Sequence, residues 1–337
     1  NMARKTMIDA GVPVVPGSEV IEDIDIARKT AQEIGFPVLI KARSGGGGRG
    51  IRLVNSVEEF DKSFMAASSE AKSAFGDGGC YLEKYLTSVK HIEMQILGDK
   101  HGNVICLGER ECSVQRKNQK LIEESPSPAI SDETRKQMID VAIRAAKAVN
   151  YVNAGTIEFL YDTDKNFYFM EMNTRVQVEH PITEMITGID IVKEQIQIAY
   201  KNELSFKQQD VRIHGHAIEC RINAENPMKN FMPTPGKIHN ILFPGGMGVR
   251  VDTHIYPGYE VPPFYDSMLA KLIVHAPTRK EAIRKMRVAL EQFVVDGVST
   301  NIEYQYLIMH NADFVKGNYD TGFIARFHTL VEEQNNE

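Results

Sequence analysis

The richest set of chemically useful side chains lies at 171–179, which reads Glu-Met-Asn-Thr-Arg-Val-Gln-Val-Glu. In an extended segment alternate side chains share one face, so the polar side chains are expected to point one way and the others into the protein. The polar set is Glu171, Asn173, Arg175, Gln177 and Glu179, and the inward set is Met172, Thr174, Val176 and Val178. A solvated edge strand is the alternative interpretation, but such a strand usually shows water a looser mix of polar groups.

This composition favours a metal ion next to a planar anion. Carboxylate and amide oxygens are hard ligands suited to Mg²⁺, which proteins usually hold with one or two carboxylates plus substrate phosphates. An arginine such as Arg175 can bind a planar anion through two parallel hydrogen bonds. Glu158 adds a carboxylate inside the apolar stretch 154–160, where an unpaired charge is costly. We expect a metal ion beside Glu158, with a structural salt bridge as the alternative.

Donors for phosphate groups are expected in a glycine-rich run at 45–50, which follows Lys41. Glycines let backbone N–H groups approach phosphate oxygens closely. The apolar stretches on either side, 36–40 and 51–54, read as strands, so the run is expected to join a hairpin that covers nucleotide phosphates. It lacks the Gly-Lys-Ser/Thr ending of a Walker loop and the acidic residue of a dinucleotide fingerprint. A plain glycine loop is the alternative.

Three further segments are ambiguous on their own. The stretch 81–86 reads as a short strand that could offer main-chain groups to an adenine edge, or could simply be a strand end. His91 lies in an alternating segment, where a histidine is more often structural than catalytic. The run 112–120 is basic and rich in amides, and it could be a solvated loop.

Helical and strand patterns indicate the elements that must position these residues. Ser131 is a plausible N-cap, with acidic residues in the turn that follows it. Strands dominate from about 211 to 275, between turns rich in proline and glycine. Helices are predicted at 25–34, 57–74, 131–149, 190–200 and 279–293.

The composition limits the classes of function. A chain of 337 residues with 42% apolar residues can bury a substantial core, and we expect two compact units. The net charge of −6 and the lack of a Lys/Arg block argue against nucleic acid and anionic membranes as main partners. The four cysteines form no C-x-x-C pair, which is typical of a reducing cytoplasm. No apolar stretch approaches the length of a membrane span, and no signal peptide is visible.

Taken together and in this order, these segments resemble the biotin carboxylase family within the ATP-grasp superfamily. The resemblance covers roughly 1–325 and includes the downstream segments 215–225, 244–250 and 265–268. Other ATP-grasp ligases share the Glu-x-Asn core, whereas the extension from Arg175 to His180 resembles biotin carboxylase. His180 and Met185 resemble the acyl-CoA carboxylase branch more than the pyruvate carboxylase branch.

The resemblance implies an α+β fold. It predicts an ATP-grasp fold, with a small mixed lid domain on a larger domain, followed by a mostly antiparallel β C-terminal region. The implied division is a helix at 1–13 that follows a Rossmann-like domain absent from this sequence, then 14–85 (lid), 86–205 (core), 206–328 (C-terminal domain) and 329–337 (a tail expected to fray).

The resemblance also implies roles for individual residues. The nucleotide is expected at Lys41, Gly47, Gly48, Glu83, Lys84, Tyr85, Leu86, His91, Gln115 and Asn118, where Asn118 stands at a position that often carries His in relatives. The metal ligands are expected to be Glu158, Glu171 and Asn173. Bicarbonate is expected at Lys120, Arg175, Gln177 and the backbone of Val178, with Glu179 as the base and Arg250 beside the enolate form of biotin.

The implied activity is ATP-dependent carboxylation of biotin on a biotin carboxyl carrier protein, using bicarbonate and Mg²⁺ or Mn²⁺ and passing through carboxyphosphate. This is the first half-reaction of acetyl-CoA carboxylase in fatty acid synthesis, with a carboxyltransferase subunit as a further partner and a homodimer at full length. No nucleic acid or membrane partner is expected. The alternatives are a component of another acyl-CoA or pyruvate carboxylase, or an inert nucleotide-binding fragment, because the family's ATP-binding lysine in its Gly-Asp-Lys motif precedes the segment represented here.

Overall fold

The computed structural model describes residues 2–44, 50–201 and 203–336, and the side chains of 4–44, 50–201 and 203–333. The helices are α1 Met2–Asp9, α2 Ile24–Ile34, α3 Val57–Phe75, α4 Asp132–Ala148, α5 His180–Thr187, α6 Ile191–Lys201, α7 Arg279–Gln292, α8 Ile302–His310, α9 Ala312–Lys316 and α10 Phe323–Asn336. The strands are β1 Val38–Ala42, β2 Ile51–Val54, β3 Cys80–Lys84, β4 Lys90–Gly98, β5 Val104–Arg116, β6 Gln119–Ser125, β7 Asn153–Tyr161, β8 Phe167–Asn173, β9 His216–Asn223, β10 Glu225–Asn226, β11 Met232–Pro233, β12 Gly236–Lys237, β13 Asn240–Leu242, β14 Val249–Thr253, β15 Glu260–Val261, β16 Met268–Ala276 and β17 Val294–Asp296.

The five helices predicted from periodicity are all present, and each end agrees to within one residue. In α4 the Ser131 hydroxyl accepts a hydrogen bond from the backbone N–H of Thr134 (3.1 Å), which satisfies a donor that the helix itself leaves unpaired. Asp132 and Glu133 occupy the first turn and Lys147 the last, in the order that the helix dipole favours. The local start and stop signals of the sequence therefore fix this helix.

The chain divides into two compact units, 1–88 with 162–170, and 89–161 with 171–337. The first unit contains a three-stranded antiparallel sheet in the order β2-β1-β3. Strands β1 and β2 pair from Val38 with Val54 to Lys41 with Ile51, so the predicted hairpin is confirmed. Gly47 and Gly48 lie outside the described residues. The core of this unit packs α2 and α3 on the sheet through Ala27, Ala31, Val38, Ile40, Val54, Phe60, Phe64, Ala67, Cys80 and Leu82.

The second unit is organised by an eight-stranded sheet in the order β14-β16-β9-β6-β5-β4-β7-β8. The registers from β14 to β7 are antiparallel, which confirms the predicted α+β class. One face of its central strands is apolar and packs against α7, α8 and α10. Because side chains alternate along a strand, the polar residues between those apolar positions reach the opposite face. That opposite face carries the candidate site.

Two predictions about extended or frayed segments are wrong. The stretch 171–179 does not continue as one strand, because β8 ends at Asn173 and a turn leads into α5. Gln177 and Glu179 are buried in that turn, whereas Val176 and Val178 are only partly buried, so the predicted inward face is reversed there. The tail from Thr329 is helical rather than frayed, because α10 continues to Asn336 and buries Val331.

None of the described helices is both long and apolar enough to cross a membrane. The finer domain boundaries expected from the sequence stay a prediction.

Candidate active site

Lys120 is the centre of a group of carboxylates in the second unit. Its Nζ donates to Glu93 Oε2 (2.5 Å), to Glu158 Oε1 (3.2 Å) and to Glu179. Only 10% of its side chain is exposed, and burial opposes its charge, but the three carboxylates outweigh burial and raise the pKa of Lys120 well above its usual value. Lys120 therefore stays a cation that draws three acids from three different segments together.

A hairpin with a defined turn places Lys120 in this group. Strands β5 and β6 pair up to Arg116 with Gln119, and the two residues between them, Lys117 and Asn118, have φ angles of 49° and 65°. Two successive positive φ angles are the signature of a tight type I′ turn, which an asparagine tolerates well. The segment that could have been a solvated loop is therefore a β-hairpin. Gln115 lies on it half-buried, and Asn118 is exposed at its tip.

Arg110 fixes the floor of the site. It is completely buried and donates to Glu93, to Gln95 Oε1 (2.6 Å) and to Gln177 Oε1 (3.1 Å). Burial favours its neutral form, but Glu93 and other acids outweigh burial and raise the pKa of Arg110. In the same way burial opposes the charge of Glu93, but Arg110 and Lys120 lower its pKa to about 2. The floor is thus a permanently charged, hydrogen-bonded network.

Glu179 is held by one cation on each carboxylate oxygen. Lys120 binds Oε1, and Arg221 Nη2 donates to Oε2 at 3.0 Å. Glu179 is also the N-cap residue of α5, which has Pro181 in its first turn and ends at Gly188 with φ of 71°. Proline at the start and a left-handed glycine at the end delimit a helix, so these residues fix the turn that carries Glu179. Burial and two cations hold this carboxylate in a single position.

The predicted metal ligands lie together. Glu158 Oε1 accepts from Asn173 Nδ2 (3.0 Å), which also lies 3.4 Å from Glu171 Oε1. The side-chain amide nitrogen of Asn173 points at the two carboxylates in this structure. A flip of the amide group would exchange its nitrogen and oxygen and place the oxygen next to the carboxylates. Two carboxylates and one amide oxygen within this reach form a hard donor set, so these residues fit Mg²⁺ or Mn²⁺.

A second acidic group of the described residues, His91, Glu93 and Glu158, also has ligand atoms close enough to share an ion. Lys120 Nζ already lies against both carboxylates of this group, so a protein cation fills the position that an ion would take. His91 Nε2 lies 2.9 Å from Glu158 Oε2. Burial opposes ionisation of Glu158, but His91 and Lys120 hold its pKa well below the usual range.

Two predicted catalytic residues, Arg175 and Arg250, form no hydrogen bond with Lys120 or its three carboxylates in the described part of the chain. Arg175 is exposed, and its guanidinium donates to the carbonyl of Val176 (3.2 Å). Arg250 on β14 binds Glu184 (2.7 Å) and forms two hydrogen bonds with Asp252 (2.8 Å each). Arg250 is therefore tied to α5 and to its own strand, and it makes no hydrogen bond to Lys120 or Glu179.

Val178 is held through its carbonyl. Lys271 on β16 donates to this oxygen (3.0 Å) and lies 3.5 Å from Asp252, which binds Arg250. The backbone between Gln177 and Glu179 is thereby fixed, which leaves the predicted role of the Val178 backbone compatible with the geometry.

The predicted nucleotide residues of the first unit form their own network. Lys41 binds Glu83, and Arg4 lies 3.8 Å from the same carboxylate. Lys84 donates from its side chain to the carbonyls of Gly35 (2.7 Å) and Phe36 (3.0 Å). The backbone N–H groups of Lys84 and Tyr85 donate to carbonyls within this unit, so they are engaged in the structure. Tyr85 is exposed and Leu86 is half-buried.

Sequence reasoning gave no role to Glu93, Arg110 and Arg221, although the structure places all three in the site. Glu93 and Arg221 lie in segments where polar and apolar residues alternate, and that alternation was the available signal. Arg110 carried no such signal, because it lies between two glutamates in the run Gly-Glu-Arg-Glu at 108–111, which does not indicate a buried position. The partners themselves come from distant segments and could not be read locally.

Two family models together match most of the chain. Residues 1–207 match the model of the "Carbamoyl-phosphate synthase L chain, ATP binding domain", and residues 219–326 match that of the "Biotin carboxylase C-terminal domain". The chain is 54% identical to Biotin carboxylase 1 of Bacillus subtilis over 98% of its own length and 74% of that protein.

Solved structures extend the similarity to three dimensions. A complex of Campylobacter jejuni biotin carboxylase with an ATP compound superposes with a TM-score of 0.89 at 48% identity, covering 96% of this chain and 72% of that one. The biotin carboxylase domain of Hydrogenobacter thermophilus 2-oxoglutarate carboxylase, bound to MgADP and bicarbonate, gives a TM-score of 0.88 at 50% identity, covering 98% and 73%. The chain belongs to the biotin carboxylase family of ATP-grasp ligases, and its α+β architecture is the one predicted from the sequence.

Proposed function

We propose that this protein catalyses the ATP-dependent carboxylation of biotin with bicarbonate. The observation that carries the proposal is Glu179, a buried carboxylate clamped between Lys120 and Arg221 beside a hard donor set for a divalent cation. A base held among cations suits a reaction that brings together several anions. The Hydrogenobacter thermophilus domain, which binds MgADP and bicarbonate, supports the same ligands here.

The first step joins bicarbonate to the γ-phosphate of ATP. Glu179 takes the proton of bicarbonate, a bicarbonate oxygen attacks the γ-phosphorus, and ADP leaves, which yields carboxyphosphate. Lys120, Gln177 and the Val178 backbone hold the bicarbonate, and Arg175 joins them from its exposed position. Their positive charge and hydrogen bonds offset the repulsion between two anions, which is the main barrier to this attack.

A divalent cation would be held by Glu158, Glu171 and Asn173. Mg²⁺ or Mn²⁺ held by these residues would offset the negative charge of the nucleotide phosphates. For the nucleotide itself, the candidate residues of the second unit are His91, Gln115 and Asn118. The nucleotide roles expected for Lys41 and for Glu83 to Leu86 in the first unit stay predictions.

The second step transfers the carboxyl group. Carboxyphosphate breaks down to CO₂ and phosphate, the phosphate removes the ureido proton of biotin, and the resulting enolate attacks CO₂ to give carboxybiotin. The enolate needs a cation, and we assign this role to Arg221, because its guanidinium already contacts Glu179. Arg250, the residue expected from the sequence, remains the alternative, although it binds Glu184 and Asp252 and makes no hydrogen bond to Glu179.

We infer that the physiological acceptor is biotin on a biotin carboxyl carrier protein, and that a carboxyltransferase uses the product. Acetyl-CoA carboxylase in fatty acid synthesis is the proposed setting, supported by the His180 and Met185 positions of the sequence. A 2-oxoglutarate carboxylase domain among the structural relatives makes another biotin-dependent carboxylase the competing setting. A homodimer is the proposed assembly.

The direct test is transfer of radiolabelled bicarbonate to biotin in the presence of MgATP. Acid-labile label on free biotin or on a purified biotinylated carrier domain, dependent on ATP, would support the proposal. Label that forms without biotin, or ATP turnover that requires an amino acid instead of bicarbonate, would refute it. Supplying acetyl-CoA and 2-oxoglutarate with their separate carboxyltransferases then distinguishes the two settings.

A further inference from the structure

Two buried carboxyl groups face each other next to Arg221, which contacts the candidate base Glu179. Glu123 on β6 and Glu219 on β9 are direct partners across the antiparallel pair, and both are completely buried. Side chains of directly opposed residues lie on the same face of a sheet and within contact distance of each other. Two acids in this arrangement cannot both be ionised without strong repulsion.

Only one of the two acids has a cationic partner at hydrogen-bond distance among the described residues. Arg221 Nε donates to Glu123 Oε1 at 2.6 Å. The other oxygen of Glu123 and both oxygens of Glu219 are buried and have no hydrogen-bond partner in the described part of the chain. A buried ionised carboxylate without a donor is very costly, so Glu219 is the member suited to carry a proton.

The surroundings of Glu219 reinforce this asymmetry. Ala217 on its own strand and Ile273 opposite it on β16 form one apolar cluster with Ile182 and Ile186 of α5. The charged groups that act on Glu219 are Glu123 on β6, Arg221 on β9, Lys271 on β16 and Glu179 before α5. Helix α5, which contributes to the same apolar cluster, also carries His180 and Glu184.

The cations of that set are already engaged by other acceptors. Lys271 donates to the Val178 carbonyl and pairs with Asp252, and Arg221 is bound to Glu123 and Glu179. Burial is the main cause that raises the pKa of Glu123 to about 7 and the pKa of Glu219 well above its usual value, and repulsion from Glu123 adds to it for Glu219.

We propose that Glu123 and Glu219 share a single proton and that this pair positions Arg221 against Glu179. The inference rests on the proposed function, since Glu179 is the base of that reaction. With its proton, Glu219 can donate to the unpaired oxygen of Glu123, so that Glu123 presents one fixed negative charge to Arg221. Loss of the proton puts a second charge behind Arg221, which draws its guanidinium away from Glu179.

A stability measurement tests the shared proton without reference to activity. The melting temperatures of the wild-type full chain and Glu219→Gln are followed from about pH 5 to about pH 9. An acid whose pKa is raised by folding contributes stability below its unfolded pKa and loses it as the pH rises toward the folded pKa. The side chain of Glu219→Gln does not ionise in this range. We therefore expect its melting temperature to rise relative to that of the wild type as the pH increases, by about 3 °C or more at about pH 9.

Two further variants keep this test decisive. Glu260→Gln removes an exposed carboxylate and is expected to follow the wild-type curve. Glu219→Met fills the same apolar surroundings without any ionisable group, and it should flatten the pH dependence in the same way even if its melting temperature is lower throughout. If the melting temperatures of both Glu219 variants depend on pH as steeply as that of the wild type, Glu123 and Glu219 do not share a proton.

The positioning role is tested by the pH profile of bicarbonate-dependent ADP release. Wild-type activity should fall on the alkaline side, and Glu219→Gln should move that fall upward by about one pH unit or more. Glu123→Gln should lower kcat about 10-fold or more with little change in the KM for ATP, because Arg221 loses its anchor. An unmoved profile in Glu219→Gln would overturn the positioning role, whereas absence of ADP release from the wild type would refute the proposed function and leave the stability test intact.

Discussion

Arg221 Nη2 lies 3.0 Å from Glu179 Oε2, and this contact joins two segments that are 42 residues apart in the chain. Arg221 comes from β9, where alternation turns it to the polar face of the sheet, and Glu179 comes from the turn before α5. The contact places a permanently charged guanidinium directly on the candidate base. It also makes Arg221, which motif reasoning left without a role, the cation best placed for a reaction at Glu179.

Replacing Arg221 and Arg250 separately should distinguish the two candidates for the enolate. Arg221→Met should lower the rate of biotin carboxylation by about 100-fold, since one group that stabilises a developing charge is usually worth that much. Arg250→Met should have a smaller effect, because its guanidinium binds Glu184 and Asp252 and makes no hydrogen bond to Glu179. The measurement is kcat for label transfer from bicarbonate to biotin, and a larger loss in Arg250→Met would restore the original assignment.

Glu171→Gln should weaken metal-dependent nucleotide binding without disturbing the fold. The side chain is exposed, so the substitution removes one hard ligand and little packing. Calorimetric titration with ATP at several Mg²⁺ concentrations should show that about 10-fold more Mg²⁺ is needed for the same affinity. Glu203→Gln is the matched control at another exposed position. If Glu171→Gln binds MgATP like the wild type at every Mg²⁺ concentration, this carboxylate does not serve the metal.

Arg110→Met should destabilise the second unit strongly. The substitution leaves Glu93 and Gln177 buried without their main donor, and removing one partner of a buried ion pair costs about 3–5 kcal/mol. Urea unfolding should show this loss in the free energy of unfolding. The double variant with Glu93→Gln should recover part of the loss, because it removes a buried carboxylate that would otherwise keep Lys120 as its only cationic partner among the described residues. If the double variant is no more stable than Arg110→Met, Arg110 acts through packing alone.

Acid should weaken the protein partly through Glu124. Burial opposes the charge of this carboxylate, but His216 and Arg279 lower its pKa to about 2. A lowered pKa contributes stability above the unfolded value near pH 4 and loses it as the pH falls through the folded value. Melting temperatures from about pH 5 to about pH 2 should therefore fall more steeply in the wild type than in Glu124→Gln. Parallel curves would show that the contacts of Glu124 with His216 and Arg279 add no pH-dependent stability.

Local signals in the sequence were sufficient for much of the fold. The helix at Ser131 and the hairpin around Lys41 follow from capping, periodicity and glycine placement, which act within a few residues. The direction of Glu179 could not be read in this way, because Pro181 and Gly188 define a short helix that interrupts the alternation. The contact of Lys120 with Glu93, Glu158 and Glu179 depends on strand pairing between distant segments, which no local pattern specifies.

We propose that Glu179, held between Lys120 and Arg221, acts on bicarbonate in a biotin-dependent reaction. The most direct measurement is ADP release by the full chain with MgATP, with and without bicarbonate and free biotin, beside Glu179→Gln. We expect release that requires bicarbonate, increases with biotin, and falls by about 100-fold or more in Glu179→Gln while ATP binding by calorimetry is retained. Release that is independent of bicarbonate, or equal in the wild type and Glu179→Gln, would show that Glu179 is not the base of this reaction.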